Sequence, residues 1–585
     1  MDLIYQTKGL RLINRLFSPN KQAETVIPFY PQKPDFPGVK PISQPFERVT
    51  PEEVGIDSET VNEFINELVS DKSVNLHGIT LIRKGKIFFE ADFGLYRSDI
   101  WHAAYSMSKT VVSIAICFMF EEGSLSPDDR LVDLLDAGNL VKIGKGGITV
   151  KELLTMSTGI SFNELGAVTE NDWAKGNFES KAKFEAGERF EYNSMNSYIL
   201  SCIIKKVAGV GVNEYLEDKL WNPLGIDMHP WETCPKGIEK GGWGLYLRRE
   251  DTAKLGVLIM NGGVWKGKRL LSEKYINLML RRHRSVPAEY GGFDYGCHIW
   301  IGHSRKSFLL NGMFGQNVLG FRENGVIIAS NGGNDEVFQQ SPFFKIAEKY
   351  FASHTFEESL PRNKKAYKTL CKTAKNLCGE KTKKENLFAR IKRNAFLKEL
   401  SGREYNILSK NRVSASLLPV TLRAIQNNYG TGINKISFLY ENGVLYTDFA
   451  SEDGVRRVVS GFEAGEYTKL DFGGEKYIVG SFARFGKNED GVPVLTLNCA
   501  FCETASERVI KFYFSEQGKL RITFTERPGV RLFDKALEIV GAVSKNKLLS
   551  AAGKRDLDYL RYRIKATFSP EYTAALCSEG HNASI

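Results

Sequence analysis

No stretch of this chain is apolar for the length that a membrane-crossing helix requires, so a spanning helix is not expected. Histidine is scarce, and the eight present form no ligand-spaced cluster. There is no G-x-S-x-G nucleophile elbow, no H-E-x-x-H and no P-loop, which removes the usual anchors for α/β-hydrolase, zincin and phosphate-loop chemistry. Cysteine is sparse too: nine are scattered over 585 residues, an odd number that suits reduced thiols and a cytoplasmic setting rather than a disulfide framework. The lone CxxC, Cys499 to Cys502, sits in an apolar strand-like run where residues three apart face opposite ways. It reads as structural, and without a second such pair no zinc site is expected. The first twenty residues have no continuous apolar core and no small-residue cleavage site, which argues against a secretory signal. Leu3, Leu10, Ile13 and Phe17 share one helical face there, expected to dock on the body of the protein rather than on a membrane.

The net charge of +10 hints at nucleic acid until it is located. Residues 361–400 hold thirteen Lys and Arg against three Glu, which accounts for the whole excess. With only Tyr367, Phe388 and Phe396 as aromatics, this segment reads as a solvated helical connector, and no nucleic-acid partner is expected.

What is present is a composition of 42% hydrophobic and 25% charged residues, globular in character, on a chain too long for one core. After a proline-rich lead, Val61, Phe64, Ile65, Leu68 and Val69 recur at helical spacing from Asp57. Ile79–Ile82 and Ile87–Glu90 then read as strands joined at Lys84-Gly85. Residues 110–120 are apolar nearly all round, with Gly123 placed to stop a buried helix. Residues 124–240 are mostly helical and loop-like, and strand character returns at 308–310, 316–321 and 326–330. A helical insertion between two halves of one sheet is implied. Beyond the basic connector, Ile436, Phe438 and Tyr440 alternate before Asn442-Gly443, and similar alternation recurs through Phe524, which predicts an antiparallel barrel or sandwich. The expected boundaries are an extension over 1–45, a catalytic domain over 46–352, the connector over 353–400, the β domain over 401–530 and a helical tail over 531–585.

A serine hydroxyl needs a base within hydrogen-bond reach and donors waiting for the oxyanion. Ser106 and Lys109, at i and i+3 where the buried helix begins, can share one face, and burial would lower the lysine pKa so that it accepts the hydroxyl proton. The pattern alone is weak. About two Ser-x-x-Lys pairs are expected by chance in a chain of this size, and Ser180/Lys183 and Ser544/Lys547 are two more. Only Ser106 opens an apolar central helix after a strand pair.

In that context Tyr105-Ser106-Met107-Ser108-Lys109-Thr110 resembles the nucleophile motif of the beta-lactamase-related family, which includes class C beta-lactamases, DD-peptidases, carboxylesterases and nylon-oligomer hydrolases. The run from Ile148 to Ile160, the segment Gly187-Glu188-Arg189-Phe190-Glu191-Tyr192-Asn193-Ser194, and Gly242-Trp243-Gly244-Leu245 are similar to further motifs in the same order over about residues 46–352. The resemblance implies that Tyr192 lies beside Lys109 and shares proton transfer, provided that cations depress its pKa; taken alone it is an ordinary core tyrosine. Ser194 stands where the family often has Asn. No Lys-Thr-Gly occurs; its counterpart is Asn311-Gly312-Met313-Phe314-Gly315-Gln316, similar to the glycine-rich edge strand of the nylon-oligomer hydrolase branch. The resemblance then implies an oxyanion hole from the N–H groups of Ser106 and Met313, with Ser194, Gly312, Phe314 and Gly315 contacting substrate. Losing the third-motif lysine removes a partner for a beta-lactam carboxylate, so beta-lactamase activity is demoted. His298 and His303 lie upstream and read as packed or solvated residues.

The expected protein is α/β: a beta-lactamase/transpeptidase-like antiparallel sheet flanked by helices with a helical insertion, plus the C-terminal β domain. Its expected function is serine hydrolysis of a small ester or amide through an acyl-enzyme on Ser106, with no metal or organic cofactor and with a homo-oligomer compatible. Acyl transfer, transpeptidation or a non-catalytic penicillin-binding-like sensor would use the same scaffold.

Overall fold

The apolar positions after Asp57 form α1 (Ser58–Ser70), started by the Asp57 carboxylate, which accepts from Thr60 N at 2.7 Å. In this computed structural model the described residues are 29–135, 147–167, 170–302, 306–378, 385–408, 416–428, 432–515, 518–532 and 562–577. Val61, Phe64, Ile65 and Leu68 are buried, whereas Val69 points outward. Next come β1 (Glu47–Arg48), upstream of α1, and the hairpin β2 (Leu76–Arg83) and β3 (Lys86–Asp92). The hairpin turns on Lys84 and Gly85, both at positive φ, as a two-residue turn requires.

The remaining strands of this sheet arrive two hundred residues later: β4 (Phe293–Tyr295), β5 (Trp300–Gly302), β6 (Ser307–Gly312), β7 (Gln316–Phe321) and β8 (Val326–Gly332). Their order is β1-β3-β2-β8-β7-β6-β5-β4, antiparallel except for β1 with β3. The join between the two halves is the β2–β8 ladder, in which Ile82 faces Ile327 and Thr80 faces Ala329. Between the halves lie α2 (Ser108–Glu121), α3 (Ser194–Ala208) and α4 (Arg249–Met260). Every residue of α2 from Ser108 to Phe120 is buried, which explains why its sequence is apolar on all faces. After the sheet, α5 (Phe343–Phe351) returns to pack on α1.

The basic connector contains α6 (Lys364–Leu377) and α7 (Leu387–Leu400). The second domain is a ten-stranded antiparallel sheet built from β9 (Glu404–Ile407), β10 (Ile433–Glu441), β11 (Val444–Ser451), β12 (Gly454–Ser460), β13 (Glu466–Phe472), β14 (Glu475–Lys487), β15 (Pro493–Phe501), β16 (Glu507–Phe514), β17 (Lys519–Arg527) and β18 (Glu571–Leu576). Their order is β12-β11-β10-β9-β18-β17-β16-β15-β14-β13. The end strands β12 and β13 come together through Val459 N donating to Thr468 Oγ1 (3.2 Å), so the sheet is a nearly closed barrel. Alternating inward residues such as Ile436, Phe438, Leu497, Ile510, Phe512 and Ile522 fill it. A short helix, α8 (Val420–Gln426), packs where Val420 N donates to the Glu526 carboxylate.

The tail expected over 531–585 departs from its helical reading at 571–576. There Tyr572 and Ala574 point into the barrel, and β18 fills the gap between β9 and β17. Residues 533–561, which include Ser544 and Lys547, and residues 1–28 lie outside the described residues.

Candidate active site

Ser106 sits in a 3-10 turn, Tyr105–Met107, that leads directly into α2, and Lys109 is the second residue of that helix. The i, i+3 spacing predicts both at the start of one helix; instead a tighter turn carries Ser106, leaving it partly exposed while Lys109 is buried. Lys109 is 1% exposed. Its Nζ donates to Ser106 Oγ (3.0 Å) and to the Gly242 carbonyl (2.6 Å). Burial pulls its pKa down to about 7, and the negative charge of Glu164 opposes part of that shift. Near neutral pH a large fraction of this amine is therefore uncharged and able to take a proton.

Tyr192 stands on the other side of the pair. Its hydroxyl hydrogen-bonds with the Ser106 side chain, and Lys109 Nζ lies 4.8 Å from its ring centre. Aromatic neighbours box it in: Trp300 is stacked at 5.9 Å and Phe338 lies edge-on at 4.9 Å. This wall decides the electrostatics. Desolvation pushes the phenol pKa up, outweighing the Ser106 hydrogen bond that lowers it, so the cation-driven depression expected from sequence is not what the environment produces. In the resting site Tyr192 is a neutral phenol, and Lys109 is the amine that titrates near neutral pH.

The third expected component comes from the end of β6. Gly312 passes so close to the nucleophile turn that a Cβ there would lie 2.4 Å from the Ala104 carbonyl, which requires glycine. Met313 follows it, with its carbonyl accepting from Gln316 Nε2 (3.2 Å). Phe314 adopts φ +69° and sets its ring edge-on to Tyr105 at 5.1 Å, while Gly315 has φ +93°. Phe314 is buried against Tyr105. Ser194 opens α3; its N–H donates to Glu164 Oε1 (2.9 Å), and Gly242 approaches so closely that a Cβ would sit 2.7 Å from the Ser194 carbonyl. His298 is a packed residue: its Nε2 is 2.9 Å from Ser197 Oγ, and burial, with the nearby Lys109 charge, drops its pKa to about 3. His303 lies outside the described residues.

Two participants escaped the sequence reading. Gly242 fell inside a recognised motif, but nothing in sequence marks its carbonyl as the second acceptor for Lys109. Glu164 begins a one-turn helix and carries no motif of its own. Among the described residues no group of three or more His, Cys, Asp or Glu could hold a metal ion, and no helix is long and apolar enough to cross a membrane.

The Beta-lactamase family model matches residues 62–335. The 6-aminohexanoate-dimer hydrolase of Paenarthrobacter ureafaciens is 23% identical over 295 residues, covering 45% of this chain and 73% of that protein. Protein flp of Staphylococcus aureus (strain MW2) is 26% identical over 162 residues, covering 25% of this chain and 32% of its own length. Among solved structures, the octameric penicillin-binding protein homologue from Pyrococcus abyssi aligns with 20% identity and a TM-score of 0.38, covering 76% of this chain and 98% of that one.

Proposed function

We propose that the chain, whose residues 62–335 match the Beta-lactamase family model, is a serine hydrolase that cleaves a small-molecule ester or amide through an acyl-enzyme on Ser106. The observation that carries the reading is the buried Lys109 amine, 3.0 Å from Ser106 Oγ with its pKa brought to about 7. A lysine held charged in water would be a poor base; this one is desolvated and lacks a carboxylate bonded to it.

In this mechanism Lys109 takes the Ser106 proton as Oγ attacks the carbonyl carbon. The tetrahedral oxyanion rests on the N–H groups of Ser106 and Met313, with Gly312 allowing the β6 end to approach. Tyr192, neutral and bonded to Ser106, hands a proton to the leaving group and is refilled from Lys109. Water then attacks the acyl-enzyme by the same relay in reverse. Phe314, expected to contact substrate, is instead 2% exposed and packed on Tyr105, so it supports the nucleophile turn rather than the acyl group. With no third-motif lysine to pair a carboxylate, beta-lactams are poor substrates in this reading. Nine unpaired cysteines fit a cytoplasmic setting.

The test is intact mass spectrometry after fluorophosphonate treatment, with p-nitrophenyl ester turnover alongside. One adduct per chain, lost together with turnover in Ser106→Ala, is the expected result. Turnover retained by a folded Ser106→Ala variant would overturn the proposal.

A further inference from the structure

The nucleophile turn is held from two sides, and one of them is the barrel. Ala104 N donates to the Leu245 carbonyl (2.8 Å), a bond within the catalytic domain. Its neighbour Ala103 N donates instead to the carbonyl of Glu503 (2.9 Å), in the loop between β15 and β16. Two residues further along that loop, Ala505 N donates to the Tyr105 hydroxyl (3.3 Å). Tyr105 adjoins Ser106 and has φ +45°. A non-glycine residue in that region is strained by roughly 1–2 kcal/mol and persists only where its surroundings over-determine it. The loop supplies one such constraint; the Ser108 hydroxyl, which donates to the Tyr105 carbonyl (2.6 Å), and the Phe314 ring supply others.

The loop is anchored in turn. Glu503 is 1% exposed. Its Oε1 accepts from Trp101 Nε1 (2.7 Å) and Lys33 Nζ (2.8 Å), and its Oε2 accepts from Ile478 N (2.9 Å). One carboxylate therefore ties the proline-rich lead, the segment carrying the nucleophile and β14, with the donors that a buried charge requires. On the sheet side, Gly333 leaves no slack: a Cβ there would lie 2.6 Å from the Ala505 carbonyl.

We infer that the barrel loop 502–506, through Glu503 and Ala505, positions the Trp101–Ser106 segment for acylation, so that the active site is incomplete without the barrel. The inference rests on the reading that Ser106 is acylated. Glu503 and Ala505 touch no reacting atom and act as positioning residues through Trp101, Ala103 and Tyr105. Because Tyr105 adjoins Ser106 and its Cβ lies 3.3 Å from where a Cβ on Gly312 would stand, its displacement weakens transition-state contacts more than substrate binding.

The experiment compares full-length wild type, Glu503→Gln and Tyr105→Phe by kcat and KM on a p-nitrophenyl ester, by phenylboronate inhibition as a transition-state probe, and by hydrogen exchange over residues 99–108. An amide at 503 turns its NH2 toward at least one of the three donors. Glu503→Gln is expected to lower kcat and phenylboronate affinity in parallel by about tenfold, leave KM within about twofold, and lose exchange protection. Tyr105→Phe, a milder change, is expected to lower kcat about threefold to fivefold with the pH midpoint unmoved. Folded variants with wild-type kcat and boronate affinity would overturn the inference, as would a loss confined to KM or to melting temperature. A wild type that never labels sinks the Ser106 reading; lost protection in Glu503→Gln would then mark a structural tie only, and positioning for acylation would fall with it.

Discussion

The chain contains the same four-residue spacing twice within the described catalytic domain, with opposite outcomes. At Ser106/Lys109 the lysine is buried, donates to the serine hydroxyl and to a carbonyl, and has a pKa near 7. At Ser180/Lys183 the serine donates to the Asn177 carbonyl (2.9 Å), while the half-exposed lysine pairs with Glu191 at 2.5 Å. One amine has lost water without gaining a bonded carboxylate; the other has kept solvent and found one. Spacing brings a lysine near a serine, but desolvation makes it a base.

Breaking each pair in turn gives the largest contrast. Ser106→Ala is expected to remove ester turnover and fluorophosphonate labelling by about 10⁴-fold or more, whereas Ser180→Ala should be indistinguishable from wild type in the same assays. Next, Lys109→Met is expected to cost about 10²–10⁴-fold in acylation rate. Lys109→Arg should be as damaging, because a guanidinium does not release its proton. Lys183→Met, measured in parallel, should stay within about twofold. A third contrast is pH. Acylation should rise about tenfold per unit up to pH 7 and level off above it as Lys109 becomes neutral; a stopped-flow profile flat from pH 5 to 8 would contradict this.

The smallest effect is on stability, and its sign is set by linkage. The folded pKa of Lys109 lies near 7 and its ordinary value is 10.5, so between those pH values the unfolded chain binds the extra proton. The lysine's penalty is full below about pH 7 and fades as pH rises toward 10.5. Lys109→Met should therefore stabilise the chain by about 1–3 kcal/mol at pH 6, after allowing for two lost hydrogen bonds, with the gain shrinking toward pH 10 in denaturant titrations.

Much of this contrast was legible in the sequence, since only Ser106 precedes a helix apolar on every face. The split sheet and most barrel strands were legible too, from alternation and turn residues at Lys84-Gly85 and Asn442-Gly443. Strand β18 was not, because Glu571–Leu576 carries only a weak alternation and joins its neighbours from beyond the expected end of the domain. The pKa direction of Tyr192 was hidden as well. It depends on burial among Trp300 and Phe338, over a hundred residues away, outweighing the hydrogen bond from Ser106. The tie from Glu503 to Trp101 spans about four hundred positions and leaves no local signature.

The split of the catalytic sheet also has a consequence for the growing polypeptide. Ser106 and Lys109 leave the ribosome with β2 and β3, but the partner strand β8 and the Gly312–Met313 segment follow some two hundred residues later. At about 5–20 residues per second, Ser106 spends roughly 10–45 s without the Met313 N–H proposed as its second oxyanion donor. On the proposed reading of Ser106, order of synthesis alone delays the assembled site until the late half of the sheet pairs with β2.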